Sequence, residues 1–223
     1  MPDLNVPIHA TAAQDVGLIE TGLSRHTVYT GRMLHAVRDA VELPDGTTAS
    51  REFIIHPGAV MIVPLLDDGR VVLERQFRYP VGRVMVEFPA GKLDAGEGSL
   101  RCAQRELQEE TGYVASEWAY AGVTHPVIAY STEHIDIWFA RGLAAGPRAL
   151  DQGEFLEVIT ATADELIDWC AQGHVTDAKS LAGAMWLQNV LSGRWQLSWA
   201  ASDAPSQPVP PGPRCPMVQG GCA

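Results

Sequence analysis

Three glutamates stand within five consecutive positions, Glu106, Glu109 and Glu110, with Arg105 directly before them. On a helix Glu106 and Glu110, four apart, share one face, and Glu109 flanks them. Carboxylates this close repel one another unless a cation or a base neutralises them. Hard oxygen donors on one helix face suit Mg²⁺ or Mn²⁺, ions that keep waters and share phosphate oxygens with a substrate. Arg105, four residues before Glu109, is placed to orient it. The plain alternative is a solvated acidic helix face with one arginine partner.

Such a helix must be seated by its surroundings. Gly91, Gly96 and Gly98 form a loop before it that can bring backbone groups close to a ligand. Ser99 is placed to cap a helix that runs to Glu110 and stops at Gly112. Leu100, Ala103 and Leu107 make the apolar stripe that would rest on a sheet. Upstream, residues 26–56 have a β-like pattern, with Pro44-Asp45-Gly46 turning one run into the next. AVMIVPLL and RVVLERQF, joined by Asp67-Asp68-Gly69, read as a second tight hairpin, and VMVEF leads into the glycine loop. Strands are expected near WAYAG, IDIWFA and FLEVIT, and helices over 163–170 and 179–191. Strands and helices without regular βαβ alternation predict an α+β layered fold.

The complete spacing is more specific than the glutamates alone. Gly91, five residues, Glu97, seven residues, then Arg105-Glu106-Leu107-Gln108-Glu109-Glu110-Thr111-Gly112 resembles the Nudix hydrolase box with all seven fixed positions filled. Glu87-Phe-Pro-Ala-Gly91, Arg75-Gln-Phe-Arg78-Tyr-Pro, Arg51-Glu52 and His56-Pro-Gly-Ala are similar to the ADP-ribose pyrophosphatase branch. The resemblance covers about residues 25 to 195. It implies a Nudix fold, a mixed β-sheet sandwiched between α-helices with an N-terminal β-hairpin region. It also implies Mg²⁺- or Mn²⁺-dependent hydrolysis of ADP-ribose, or of a related nucleoside diphosphate sugar such as GDP-mannose. A non-catalytic ADP-ribose-sensing module is the alternative from another class.

By position, the resemblance makes Glu106, Glu110 and the Ala90 carbonyl metal ligands, with Glu109 a further ligand or a base. Gly91, Glu97 and Gly112 hold the loop geometry, and Glu97 and Arg105 hold the loop to the helix or orient a ligand. Glu133 is the first choice of catalytic base and Glu154 the second. Pro126-Val127 stands where relatives commonly have Pro-Gly, a departure that bears on the choice of substrate. Arg51 and Arg78 are candidates for the diphosphate, because guanidinium forks suit phosphate oxygens; either could instead pair with a neighbour such as Glu52 or Glu74. Glu87 is a further substrate-binding candidate, or a partner of Arg78. Relatives in this branch imply a homodimer in which the residues 26–56 contribute to the partner's site.

Composition fits this picture. The 223 residues are 46% hydrophobic, enough for a packed core, and carry a formal net charge of −11. That balance argues against nucleic acid as the main partner. No apolar run approaches the roughly 18 to 20 residues of a membrane span, and no basic-then-apolar leader opens the chain. With four scattered cysteines, a reducing cytoplasmic location is expected. The expected organisation is an arm over 1–25, a β region over 26–56, the hydrolase domain over 57–200, and a disordered proline-rich tail over 201–223.

Overall fold

A computed structural model describes residues 15–150 and 152–204. The chain divides into two compact units. The first holds residues 15–56 together with Val127–Thr132, and the second residues 57–126 and 133–204.

The first unit is an antiparallel sheet of β1 (Thr21–Thr30), β2 (His35–Glu42) and β3 (Thr48–Ile55), in that order. The Pro44-Asp45-Gly46 turn is closed by Asp45, whose carboxylate accepts the Thr47 N–H at 2.9 Å, and by Gly46 in the left-handed region. β1 begins at Thr21, five residues before the β region read from the sequence. The segment Val127–Thr132 is stitched to β3: the Ile54 N–H donates to the Tyr130 carbonyl, and the Thr132 N–H to the Ile54 carbonyl.

The second unit has two sheets. One runs β10 (Leu156–Ala161), β5 (Val71–Arg78), β6 (Arg83–Glu87). The other runs β11 (Ala200–Ala201), β8 (Tyr113–Thr124), β9 (Ile135–Ala145), β4 (Ala59–Pro64), β7 (Ala90–Lys92). β4 and β9 are parallel and the remaining pairs antiparallel, so the larger sheet is mixed. The Asp67-Asp68-Gly69 turn forms as read, but only Leu65 and Val71 bridge across it. β4 and β5 then part into different sheets, so this is not the hairpin expected. Turn chemistry fixes a reversal of the chain; it does not fix which strand each arm pairs with.

Period-2 alternation along β4 explains the layering. Ala59, Met61 and Val63 face a core shared with Leu73, Phe88, Phe139, and Leu166 of α2 (Ala163–Ala171) and Leu187 of α3 (Ala178–Leu191). Val60 and Ile62 face the opposite way, into a cluster with Trp118, Trp138, and Cys102 and Ala103 of α1 (Ser99–Glu106). The larger sheet is therefore covered by α1 on one face and by α2 and α3 on the other, the α+β sandwich read from the sequence. α2 opens with a capping box between Thr162 and Glu165, and α3 with Asp177 accepting the Ser180 N–H.

Most of the proline-rich tail lies outside the described residues. Its first residues are part of the second unit. Ala200 and Ala201 pair with β8, the Ser202 N–H donates to the Ser116 carbonyl, and Gln104 donates to Ser202 at 3.0 Å. No helix among the described residues is long and apolar enough to cross a membrane.

Candidate active site

The helix that carries the glutamates departs from the simple α-helix of the sequence reading. α1 ends at Glu106 and continues as one π-turn, Leu107–Thr111, closed by Gly112 in the left-handed region. Such wide turns recur at functional sites. Here it carries Glu109 and Glu110 on to the end of the segment, and buries Leu107, Glu110 and Thr111. Ser99 is not the cap; Gly98 holds that position without a side-chain bond. The Ser99 hydroxyl instead accepts the Trp138 indole N–H at 2.8 Å, tying the start of α1 to β9.

Arg105 organises the exposed side of this segment. It makes a fork to Glu97 at 3.0 and 2.9 Å, and also donates to Glu106 at 2.8 Å, Glu109 at 3.0 Å and the Lys92 carbonyl at 3.2 Å. Glu97 also accepts the Asp94 N–H, so the glycine loop and the helix are locked together. Arg105 holds the Glu97 carboxyl far down, at about 2. One guanidinium thus serves three carboxylates. Among the described residues no three acidic, histidine or cysteine side chains stand pre-assembled as a metal cage. Glu106 and Glu109 are turned towards Arg105, which shields their mutual repulsion.

The buried side has no such cation. A Cβ on Gly91 would lie 1.8 Å from the Glu106 carboxyl, so only glycine allows this carboxylate to rest against β7. Glu110 is 3% exposed and accepts the Ala90 N–H at 3.0 Å. Burial, then the charges of Glu74 and Glu106, push the Glu110 carboxyl upward. Burial also raises Glu106, against the pull of Arg105. These are hard oxygen donors held in place, Glu106 sharing Arg105 with two other carboxylates and Glu110 bonded by a backbone N–H. They fit a divalent cation, with Glu106, Glu110 and the Ala90 backbone as the groups that would hold it.

The other sequence candidates separate. Arg78 and Glu87 come together as a fork at 2.7 and 2.9 Å, and Lys179 also contacts Glu87. Burial alone would raise the Glu87 carboxyl, but Arg78 and Lys179 outweigh it and hold it down. Of the two readings of Arg78 and Glu87, the ion pair is the one formed. Arg51 belongs to the first unit, where it pairs with Glu20. Glu133 is half-buried just before β9. Glu154 lies in the segment before β10, and its negative charge raises Glu74, Glu106 and Glu110 alike. The segment between β9 and β10 is anchored at the π-turn: Ala149 donates to the Glu109 carbonyl and Gly146 to that of Gly112.

Sequence reasoning missed two groups. Lys179 is 9% exposed, on the first turn of α3, and bonds Asp177 at 2.9 Å as well as Glu87. Beside it the Ser180 hydroxyl accepts the Phe88 N–H at 2.9 Å, so this turn clamps the end of β6. The second group is Glu74, fully buried on β5. Its only signal was an acid directly following Val71-Val72-Leu73.

A NUDIX domain model matches residues 55–183. The chain belongs to the Nudix family. It is 35% identical to the methanol dehydrogenase activator of Bacillus methanolicus, over 76% of this chain and 92% of the relative. It is 34% identical to the ADP-ribose pyrophosphatase of Bacillus subtilis (strain 168), over 77% of this chain and 94% of that one. A solved structure described as an ADP compounds hydrolase superposes with TM-score 0.71 at 24% identity, covering 78% of this chain and 95% of the other. That likeness bears on the fold, which is the Nudix fold. Nudix hydrolases generally use divalent metal ions.

Proposed function

We propose that this Nudix protein hydrolyses the pyrophosphate of ADP-ribose, or of a related nucleoside diphosphate sugar, to AMP and a sugar phosphate, with Mg²⁺ or Mn²⁺. The observation that carries the reading is the pair of carboxylates on one side of the helix, half-buried Glu106 in the Gly91 cradle and buried Glu110 on the Ala90 N–H. The names of the Bacillus subtilis relative and of a 32% identical Mycobacterium tuberculosis relative, both ADP-ribose pyrophosphatases, support the substrate class.

A bound divalent cation supplies neutralisation of pyrophosphate oxygens and a more acidic water. The chain's residues do the rest. Glu106 and Glu110 hold the cation. Arg105 keeps Glu97 and Glu109 in place, so that the glycine loop and the π-turn cannot part. Glu133, half-buried just before β9, takes the proton of the attacking water, with Glu154 in the segment before β10 as the second candidate. Arg51, presented by the second copy of the proposed dimer, and Arg78 contribute guanidinium groups to the diphosphate, and Glu87 holds Arg78 at the end of β6.

The homodimer belongs to this proposal, with the sheet of residues 26–56 as its interface. Val28, Tyr29, Met33 and Leu34 in that region are exposed apolar groups suited to a second copy. The cytoplasmic location belongs to it too, in keeping with Cys102 and Cys170 as free thiols.

A panel of ADP-ribose, GDP-mannose and other sugar nucleotides, assayed with Mg²⁺ by chromatography, tests the reading. AMP release fastest from ADP-ribose supports it; a faster GDP-mannose reaction moves the substrate elsewhere in the class. A second reading, an ADP-ribose-sensing module, draws on the Bacillus methanolicus relative, named as an activator. Binding of ADP-ribose with no turnover of any compound would favour it. Glu133→Gln should abolish the acidic limb of kcat/KM against pH, where a protonated base stops the reaction, whereas Glu154→Gln should leave it; the reverse result makes Glu154 the base.

A further inference from the structure

Glu74 has no assigned task, and its setting is costly. It lies on β5 directly opposite Glu87 of β6, so the two side chains share one face of the sheet. Glu74 is 0% exposed, and neither carboxylate oxygen has a hydrogen-bond donor among the described residues. Gln76, two residues on and on the same face, also has its side-chain oxygen buried without a donor. Burying a carboxyl group with no donor is unfavourable, so packing gives no reason for it. A valine like its neighbours Val71 and Val72 would fill the strand at no such cost.

The nearby cations are already engaged. Arg78 is forked onto Glu87, and Lys179 is held between Glu87 and Asp177. On the other side, Glu87, the residue opposite Glu74, leads in three residues to Ala90, whose N–H Glu110 accepts at 3.0 Å. Four ion-paired carboxylates, Glu87, Glu97, Glu109 and Asp177, thus share Arg78, Arg105 and Lys179 with Glu106. Glu74 and Glu110 are left facing a deficit of positive charge. A doubly charged ion with an oxygen shell removes that deficit and supplies the partners that both Glu74 oxygens lack.

We infer that Glu74 is a further carboxylate of the cation site, holding a divalent ion together with Glu110, directly or through a water of its shell. The inference rests on the proposed metal-dependent reading and adds a ligand from outside the box, on a strand of the other sheet. It makes the site a bridge between the smaller sheet and the glutamate helix, so that binding the ion ties two elements that otherwise repel.

The test is Mn²⁺ binding without substrate, by electron paramagnetic resonance of free Mn²⁺, on the full chain as wild type, Glu74→Gln, Glu74→Leu and Glu110→Gln. Both Glu74 variants should weaken Mn²⁺ affinity at least tenfold and lose most of the Mn²⁺-induced rise in Tm. Their metal-free Tm should equal or exceed that of the wild type. Wild-type affinity in either Glu74 variant overturns the inference. So does a metal-free Tm several degrees lower in both, which would make Glu74 part of the scaffold. Glu110→Gln separates the two levels: if it also binds Mn²⁺ as wild type does, the metal site itself is misassigned, and if it alone loses binding, only the role of Glu74 falls.

Discussion

The acids of the first unit's sheet and those around the glutamate helix of the second are matched to cations in different ways. In the first, the buried Asp39 receives two bonds from Arg25, at 2.8 and 2.6 Å, from the residue directly opposite on β1. Glu52 pairs with Arg38 at 2.7 Å, and Glu20 with Arg51. Each of these acids has its own arginine. In the second unit Arg105 serves three glutamates, while Glu110 has one backbone N–H and Glu74 has no donor. Matched acids fix strand register and position. Unmatched buried acids cost stability, and their retention marks the place where a ligand completes them.

The comparison predicts opposite responses to the same kind of substitution. Glu106→Gln and Glu110→Gln should each lower kcat by about 10²-fold or more, the scale of removing a preorganised electrostatic group. The metal-free Glu110→Gln protein should be no less stable, since a repulsion is relieved without loss of an ion pair. Far-UV circular dichroism and urea unfolding check the second half, and a Glu110→Gln variant with wild-type turnover would break it. Asp39→Ala, by contrast, should cost about 1.5–3 kcal/mol in urea unfolding, the range for hydrogen bonds to a charged group, with Mn²⁺ affinity unchanged.

Glu97 stands between these extremes, a matched acid inside the site. Arg105 holds its carboxyl down, to about 2, so the folded state favours the charged form. Its stabilisation is complete above the ordinary carboxylate range and is lost as pH falls from there towards 2. Wild type and Glu97→Gln should therefore differ in stability at pH 7, by about 1 kcal/mol for a pair partly open to solvent, and converge only as pH falls to about 2. An undiminished difference at that pH would mean that packing, not charge, is what the variant removes. The smallest stability effect belongs to Arg51→Ala, whose Tm should match that of the wild type because its ion pair with Glu20 is exposed. Its KM for ADP-ribose should rise if the guanidinium meets the diphosphate, and an unchanged KM would confine Arg51 to its pairing with Glu20.

How much of this was legible depended on whether the determinant was local. The spacing from Gly91 to Gly112 carried the loop, the helix and the Arg105 contacts, because each partner lies within a few turns of chain. Strands β2, β3, β8, β9 and β10 followed from apolar runs and turn residues. The parting of β4 and β5 did not, since Asp67-Asp68-Gly69 says nothing about the partners waiting on either side. Glu74 and Lys179 were hidden for a related reason. Alternation along β5 allows Glu74 to face outward, and only a sheet covered on both faces buries it. Lys179 reads as an ordinary surface residue until the first turn of α3 docks on the end of β6. The π-turn left no mark in the apolar spacing either, because Leu107 still falls on the buried stripe.

We ascribe to Glu106 and Glu110 the holding of a divalent cation for pyrophosphate hydrolysis. AMP release from ADP-ribose by the wild-type protein, followed by chromatography before EDTA, in EDTA and after Mg²⁺ is restored, reads that role. Turnover should stop in EDTA and return with Mg²⁺ in the wild type but not in Glu110→Gln. Full turnover in EDTA would exclude it.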